Sequence, residues 1–380
     1  MFSFFSPQAI HFGRGQSAQA PSLARAFGSN VLLVHGANAR RADWLVNACT
    51  DAGMTVHTLG CQNEPSLPDI QLALAQIKGF NPDVVIALGG GAVIDFGKAL
   101  AALIPCASPP QEYLEVVGTG RALDHAPLPL IALPTTAGTG AEVTKNAVIT
   151  VPDHGIKVSL RDPRMIPDIA IVDAGLMQGA PRRVTLAAGL DAITQVIEPY
   201  LSIKANPMTD ALCVAAIPTG LGAIRDVVEN DAPAAWDDMA RVSTWGGLAL
   251  ANAGLGAVHG FAGVIGGRTN APHGEICGTL LPAVLASHMR KADAGTEVHS
   301  RLVWVLDQID RQFGDGTDGT GLAHLKTWSR KMGLRGLADM GVTKADLDDI
   351  AQASAGASSM KGNPFALSQS ELVGILADAL

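Results

Sequence analysis

An α/β half followed by an all-helical half is the architecture that the sequence predicts, and three observations carry the prediction. Up to about residue 175, short apolar runs alternate with amphipathic stretches, the pattern of strands joined by helical crossovers in a largely parallel sheet. Beyond that point, long Ala- and Leu-rich segments carry helical spacing instead of strand-like runs. The 380 residues, 48% hydrophobic and 16% charged, suffice for two buried cores rather than one.

Taken in order, residues 31–34, 55–59, 84–88 and 128–133 read as strands, with helices at 43–52, 69–78 and 92–103. Gly13-Arg14-Gly15 reads as a hairpin turn. Helices are expected at 183–200, 207–228, 234–253, 297–313 and 321–332, with Pro272 and Pro282 interrupting the pattern. The boundary is expected within 173–181, giving an α/β domain over 1–177 and a helical domain over 178–380. A ligand cleft between two such halves is the default expectation.

Composition excludes several function classes. A net charge of −8 without a dominant basic patch argues against a nucleic-acid binder, and Arg40-Arg41 and Arg182-Arg183 read as solvated pairs. No uninterrupted apolar stretch of about 18 residues occurs, so a membrane-spanning helix is not expected. Met1 to Pro7 lacks the basic start and apolar core of a leader. The five cysteines, Cys49, Cys61, Cys106, Cys213 and Cys277, are scattered and never in CxxC spacing. They read as reduced thiols, which predicts a cytoplasmic location and speaks against a disulfide framework or a cysteine–zinc site.

Two loops carry phosphate-binding chemistry. Gly89-Gly90-Gly91 lies between a predicted strand and a predicted helix, where glycines admit a pyrophosphate to the free N–H groups of the helix start. Thr135-Thr136-Ala137-Gly138-Thr139-Gly140 follows the next strand and gathers three hydroxyls and two glycines. A ligand-free tight turn and a plain Thr turn are the competing readings, and no GxGxxG follows the first strand. Farther on, Asp191 and Gln195 stand four apart, on one face of a helix, and His259 and His273 each precede a glycine. Each histidine alone reads as a satisfied structural residue. Together with an aspartate in an apolar segment they suit Fe(II) or Zn(II), with a coordination position left for a substrate oxygen.

These segments resemble the iron-containing (group III) alcohol dehydrogenases, the family that includes lactaldehyde reductase and 1,3-propanediol dehydrogenase. The resemblance runs through nearly the whole chain. It is carried by Gly89 to Asp95, Pro134 to Thr144, Gly189 to Glu198 and the His259 and His273 segments, with Lys157 and Asn363-Pro364 also matching. It implies a dehydroquinate synthase-like fold, in which an α/β N-terminal nucleotide-binding domain precedes an all-α C-terminal metal-binding domain. It implies a metal held by Asp191, Gln195, His259 and His273, with His259 and His273 catalytic. It implies cofactor contacts from Gly36, Gly89, Gly90, Gly91, Asp95, Thr135, Thr136, Thr139 and Lys157, and a small alcohol or aldehyde as substrate. The expected assembly is a homo-oligomer, a dimer.

The chain departs from the family pattern at Gln195, where histidine is usual, at Gly263, where many members carry a further histidine, and at Ala92, where serine is common. Gly36 stands where NAD-using relatives carry an acid, and with Arg40 and Arg41 close by this predicts NADP(H) over NAD(H). Three alternatives stand beside this reading: a metal-independent reductase resembling maleylacetate reductase, for which Gln195 argues and Asp191 argues against; a lyase of the dehydroquinate synthase fold; and a non-catalytic nucleotide-binding regulatory protein.

Overall fold

The computed structural model describes residues 1–269 and 271–380. They fall into two compact units, one of Phe5–Thr136 and Gly140–Met177, the other of Gln178–Leu380 with Met1–Phe4 and Ala137–Thr139.

The first unit is α/β. Its strands are β1 (Ala9–Phe12), β2 (Asn30–Gly36), β3 (Thr55–Cys61), β4 (Val84–Gly89), β5 (Leu130–Pro134), β6 (Asn146–Val151), β7 (Ile156–Arg161) and β8 (Ile169–Val172). Its helices are α1 (Ala20–Arg25), α2 (Asp43–Asp51), α3 (Leu67–Gln76) and α4 (Gly91–Leu103). Among the described residues, six strands form a parallel sheet in the order β1-β8-β5-β4-β2-β3, and β6 and β7 form an antiparallel hairpin. The central strands are continuous apolar runs because both faces are covered. Leu32, Val34, Val85, Ala87 and Ala132 pack in one core with Ile70 and Leu100 of α3 and α4. Their alternating neighbours Val31, Leu33, Val84, Ile86 and Ile131 pack in another with Ala24 and Leu45 of α1 and α2.

Gly13-Arg14-Gly15 does not turn a hairpin. β1 pairs in parallel with β8, Ala9 opposite Ile169, and the positive φ of Gly13 and Gly15 (138° and 79°) turns the chain into a short 3₁₀ turn ahead of α1. The strand order places a topological switch between β2 and β4, since β3 lies outside β2 while β5 lies beyond β4. Ligands of open α/β sheets bind at the carboxyl ends flanking such a switch. Here those ends are Gly36 and Gly89, with Pro134 of β5 in register beside Gly89.

The second unit is helical: α5 (Arg182–Leu201), α6 (Pro207–Asn230), α7 (Pro233–Ala253), α8 (Ala257–Thr269), α9 (His273–Lys291), α10 (Glu297–Phe313), α11 (Gly321–Lys331), α12 (Leu347–Ala355) and α13 (Gln369–Ala379). α5 is buried nearly all round and packs against α6, α7 and α9, as an axial helix of a bundle must. Pro282 does not interrupt anything. It lies inside α9, as Pro199 lies inside α5, because packing of a buried helix outweighs the loss of one ladder bond, about 3 kcal/mol. Among the described residues, α6 is long and apolar enough by length and composition to cross a bilayer, with a mean hydropathy of 1.5, although polar residues interrupt it. Half of that window is buried inside the protein, as in a core helix.

α4 sits on β4 at glycine distance. A Cβ added at Gly97 would stand 2.8 Å from Ala87 Cβ, closer than real Cβ atoms approach. Gly97→Ala should therefore lift α4 from the sheet and destabilise the protein by about 1–3 kcal/mol. Denaturant midpoints read the effect, and a midpoint equal to the wild type would refute the packing argument.

Candidate functional site

The helical unit builds its polar centre on an unusually close approach of two helices. A Cβ at Gly274 would stand 2.3 Å from the Ala187 carbonyl oxygen, and one at Gly278 would stand 2.6 Å from Leu190 Cδ1. Only glycine lets α9 lie this near α5. The residues one position earlier, His273 and Cys277, are thereby carried to the face of α5 that presents Asp191 and Gln195. The first turn of α9 is held by buried Glu275, which accepts from Arg183 Nε at 2.5 Å and Arg335 Nε at 2.7 Å. Arg182 and Arg183 are both exposed, as expected of a solvated pair, and Arg183 also anchors Glu275.

α8 supplies His259. The carboxylate of Glu198, on α5, does two things there: Oε1 accepts the Val258 N–H at 2.7 Å, and Oε2 lies 2.6 Å from His259 Nδ1. Asn363 Oδ1 accepts the adjacent Ala257 N–H at 3.0 Å. The N-terminus of α8 is capped from outside by these two side chains, and a carboxylate there also suits the helix dipole. Because Nδ1–H donates to Glu198, His259 Nε2 presents its lone pair.

That lone pair faces Asp191 Oδ1 at 3.3 Å, and His273 Nε2 lies 3.8 Å from the same oxygen. Asp191 Oδ1, Gln195 Oε1 and His259 Nε2 are all buried without a hydrogen-bond partner. Gln195 Nε2 donates to Asp191 Oδ2 at 3.0 Å and to the Gly138 carbonyl at 3.3 Å, which turns its Oε1 away from both acceptors. Electron-pair donors left facing one another in a buried setting fit a cation and little else. The donor set, carboxylate, imidazole and thiol within 4.8 Å of one another, has the chemistry of a first-row divalent site. Solvent access is on the side of His273, whose side chain is 37% exposed against 2% for Asp191.

The electrostatics agree. Burial alone pushes both imidazoliums down, yet the adjacent Cys277 and Asp191 side chains outweigh it, holding His259 well above its ordinary value and His273 at about 9. Burial would raise the Asp191 carboxyl, but the positive His273 and His259 draw it below its usual range.

The α/β unit holds most of the predicted cofactor residues at the carboxyl edge of its sheet. Gly36 closes β2, Gly89 closes β4, and Gly90 and Gly91 open α4, whose N-terminus carries no side-chain cap. A Cβ at Gly89 would stand 2.5 Å from Val93, and one at Gly90 would stand 3.3 Å from Thr136 Oγ1, so this turn tolerates no larger residue at Gly89. Thr135 follows β5, its N–H donating to the Gly89 carbonyl at 3.0 Å. Asp95 accepts the Val148 N–H at 3.0 Å and lies 3.6 Å from the fully buried Lys98 ammonium, tying α4 to β6. Lys157, on β7, pairs with Glu64, and Thr139 falls in the helical unit beside Gly138. Arg40 and Arg41 are exposed in the turn after β2. Gly263 is exposed, with no atom near the position its side chain would take.

Sequence reasoning did not single out Glu198 or Cys277. The signal for Glu198 was present: Asp191, Gln195 and Glu198 recur at i, i+4 and i+7, a polar stripe on a helix otherwise apolar. Cys277 stands four after His273 and so shares its helix face.

Comparison with known proteins follows the same division of the chain. The family model for iron-containing alcohol dehydrogenase matches residues 7–174, and that for the C-terminal part of the Fe-containing alcohol dehydrogenase family matches residues 185–380. The chain is 32% identical over 373 residues to the probable alcohol dehydrogenase EutG of Escherichia coli (strain K12), covering 96% of this chain and 90% of that one. It is 33% identical to lactaldehyde reductase of Escherichia coli (strain K12), over 80% of this chain and 79% of that one. The solved alcohol dehydrogenase from Oenococcus oeni superposes with a TM-score of 0.88 at 26% identity, with full coverage of both chains.

The Glu198–His259 bond has a measurable consequence. Glu198→Gln keeps an acceptor for Val258 but removes the charge that raises the basicity of His259 Nε2, and should weaken divalent-metal affinity about tenfold. Competition against a chromogenic chelator measures it, and an unchanged affinity would detach Glu198 from the metal chemistry.

Proposed function

The chain belongs to the iron-containing alcohol dehydrogenase family, and on that premise we propose that it moves a hydride between NADP(H) and a small alcohol or aldehyde, beside a divalent ion held by its helical unit. The observation that carries this reading is the buried, unpartnered pair of His259 Nε2 and Asp191 Oδ1, facing each other at 3.3 Å. His259, His273 and Asp191 would hold Fe(II) or Zn(II).

When bound, such an ion polarises a carbonyl oxygen while reduced nicotinamide supplies the hydride. The chain's own residues do the rest. Glu198 holds the proton on His259 Nδ1 and so keeps Nε2 a donor of electrons. Gln195 Nε2 fixes the Asp191 carboxylate through Oδ2, leaving Oδ1 directed at the imidazoles. The apolar packing around α5 excludes water from all but the His273 side, where a small oxygen-bearing substrate has access. In the α/β unit, the uncapped start of α4 offers backbone N–H groups to the pyrophosphate, with Gly89, Gly90 and Gly91 permitting close approach. Thr135, Thr136 and Thr139 supply hydroxyls, and Asp95 and Lys157 complete the proposed set of cofactor contacts. The five free thiols fit a reducing, cytoplasmic setting.

His273→Ala should cut aldehyde reduction by about a thousandfold or more, the equivalent of several kcal/mol of lost carbonyl polarisation. Turnover assays with added Fe(II) or Zn(II), beside metal analysis and circular dichroism, check this. Full activity in a chelator-treated assay would instead favour the metal-independent reading.

Cofactor choice follows from Gly36. With no carboxylate at the end of β2 to bond a ribose 2′-hydroxyl, and with Arg40 and Arg41 exposed in the following turn, a 2′-phosphate meets space and positive charge. The expected result is a higher kcat/KM with NADPH than with NADH, shifted towards NADH by Gly36→Asp. A wild-type preference for NADH would sink the assignment.

A further inference from the structure

Cys277 is the residue of the metal centre that neither the family pattern nor the sequence reading assigns. It does not stand alone. Its Sγ lies 3.6 Å from His273 Nε2, and its sulfur belongs to one group with the donor atoms of Asp191, His259 and His273, all within 4.8 Å of each other. Two of the facing atoms, Asp191 Oδ1 and His259 Nε2, are buried and unpartnered.

Coordination geometry turns these distances into a test of the donor set. In a tetrahedral site, neighbouring donors are separated by about 1.6 times the bond length. Bonds of roughly 2.0–2.3 Å to nitrogen, oxygen and sulfur then give edges of about 3.3–3.8 Å. The separations here are 3.3 Å for His259 Nε2 to Asp191 Oδ1, 3.8 Å for His273 Nε2 to Asp191 Oδ1 and 3.6 Å for Cys277 Sγ to His273 Nε2. All three fall on tetrahedral edges, and Cys277 supplies one of them.

We propose that Cys277 is the fourth metal ligand of this chain, binding as a thiolate, and that Gln195 braces Asp191 from outside the coordination sphere. The proposal rests on the metal reading above. Coordination forms one sulfur–metal bond and releases the Sγ–H proton to water. The charges then balance, since one carboxylate and one thiolate neutralise a divalent ion. Gln195 Nε2 donates to Asp191 Oδ2 and the Gly138 carbonyl, which holds the amide against Asp191, while its Oε1 is buried and unpartnered. A thiolate also changes the metal preference, favouring softer, sulfur-accepting ions over ones held by imidazole and carboxylate alone.

Co(II) reports its own ligands and tests this directly. The metal-free full-length protein is titrated with Co(II), and the absorption spectrum is followed together with affinity in competition with a chelator. The wild type should bind one equivalent and show a near-ultraviolet sulfur-to-cobalt charge-transfer band. Cys277→Ser, nearly isosteric, should lose the band and bind roughly 100-fold more weakly, at the upper end of what even outer partners of a metal ligand cost. Cys213→Ser and Gln195→Ala should both keep the band. If Cys277→Ser fails to fold, Cys277→Ala and protection of Cys277 from alkylation by Zn(II) in the wild type carry the same test. One equivalent of Co(II) bound without a thiolate band, or with the band intact in Cys277→Ser, overturns the role of Cys277 and leaves the metal reading standing. No stoichiometric Co(II) binding by the wild type overturns both.

Discussion

The distance between α5 and α9 governs the helical unit. Gly274 and Gly278 face the Ala187 backbone and the Leu190 side chain at separations shorter than real Cβ contacts, so a larger residue at either position would push the helices apart. Each glycine follows a metal-type donor, so the same register that closes the helices also delivers His273 and Cys277 to Asp191. Two further glycines tighten the same helix. Gly246 of α7 would bring a Cβ to 3.2 Å from Gln195 Cβ, and Gly138 would bring one to 2.9 Å from Ala188. The metal chemistry is thus set by backbone packing, and α5, buried nearly all round, is the reference against which every donor is placed.

The outer partners extend that rigidity. Glu198 serves a helix terminus and an imidazole with its two oxygens, so the orientation of α8 and the tautomer of His259 are one constraint. Glu275, bound by Arg183 and Arg335, does for the first turn of α9 what Glu198 and Asn363 do for α8. Buried carboxylates of this kind would be costly alone; satisfied on both oxygens, they fix geometry.

Much of this was legible in the sequence. The central strands could be read because burial on both faces writes continuous apolar runs, and helices such as α4 and α10 because their spacing is regular. β1 and β8 were not legible: four residues each, they make sense only as a pair 160 positions apart. The hairpin β6–β7 was missed because its strands alternate polar and apolar residues without a tight two-residue turn signal. Asp191, His259 and His273 stood out as polar residues in apolar surroundings. Cys277 did not, since a lone thiol looks like any small buried residue until the fold turns it towards three other donors. Pro282 misled for a related reason, because local propensity weighs little inside a helix that is wholly buried.

The β1–β8 pairing also bears on how the chain assembles as it leaves the ribosome. β2, β3 and β4 can pair from neighbouring sequence, but β1 has no partner until residue 172 has emerged. β1 is therefore seated after β2, β3 and β4, and the long loop it closes adds an entropic cost to that pairing. Until then the edge of β5 awaiting β8 stays unpaired, open to strands of other nascent chains. β1 and β5 thus wait on the same strand, β8, which must reach the sheet before either is paired on that side.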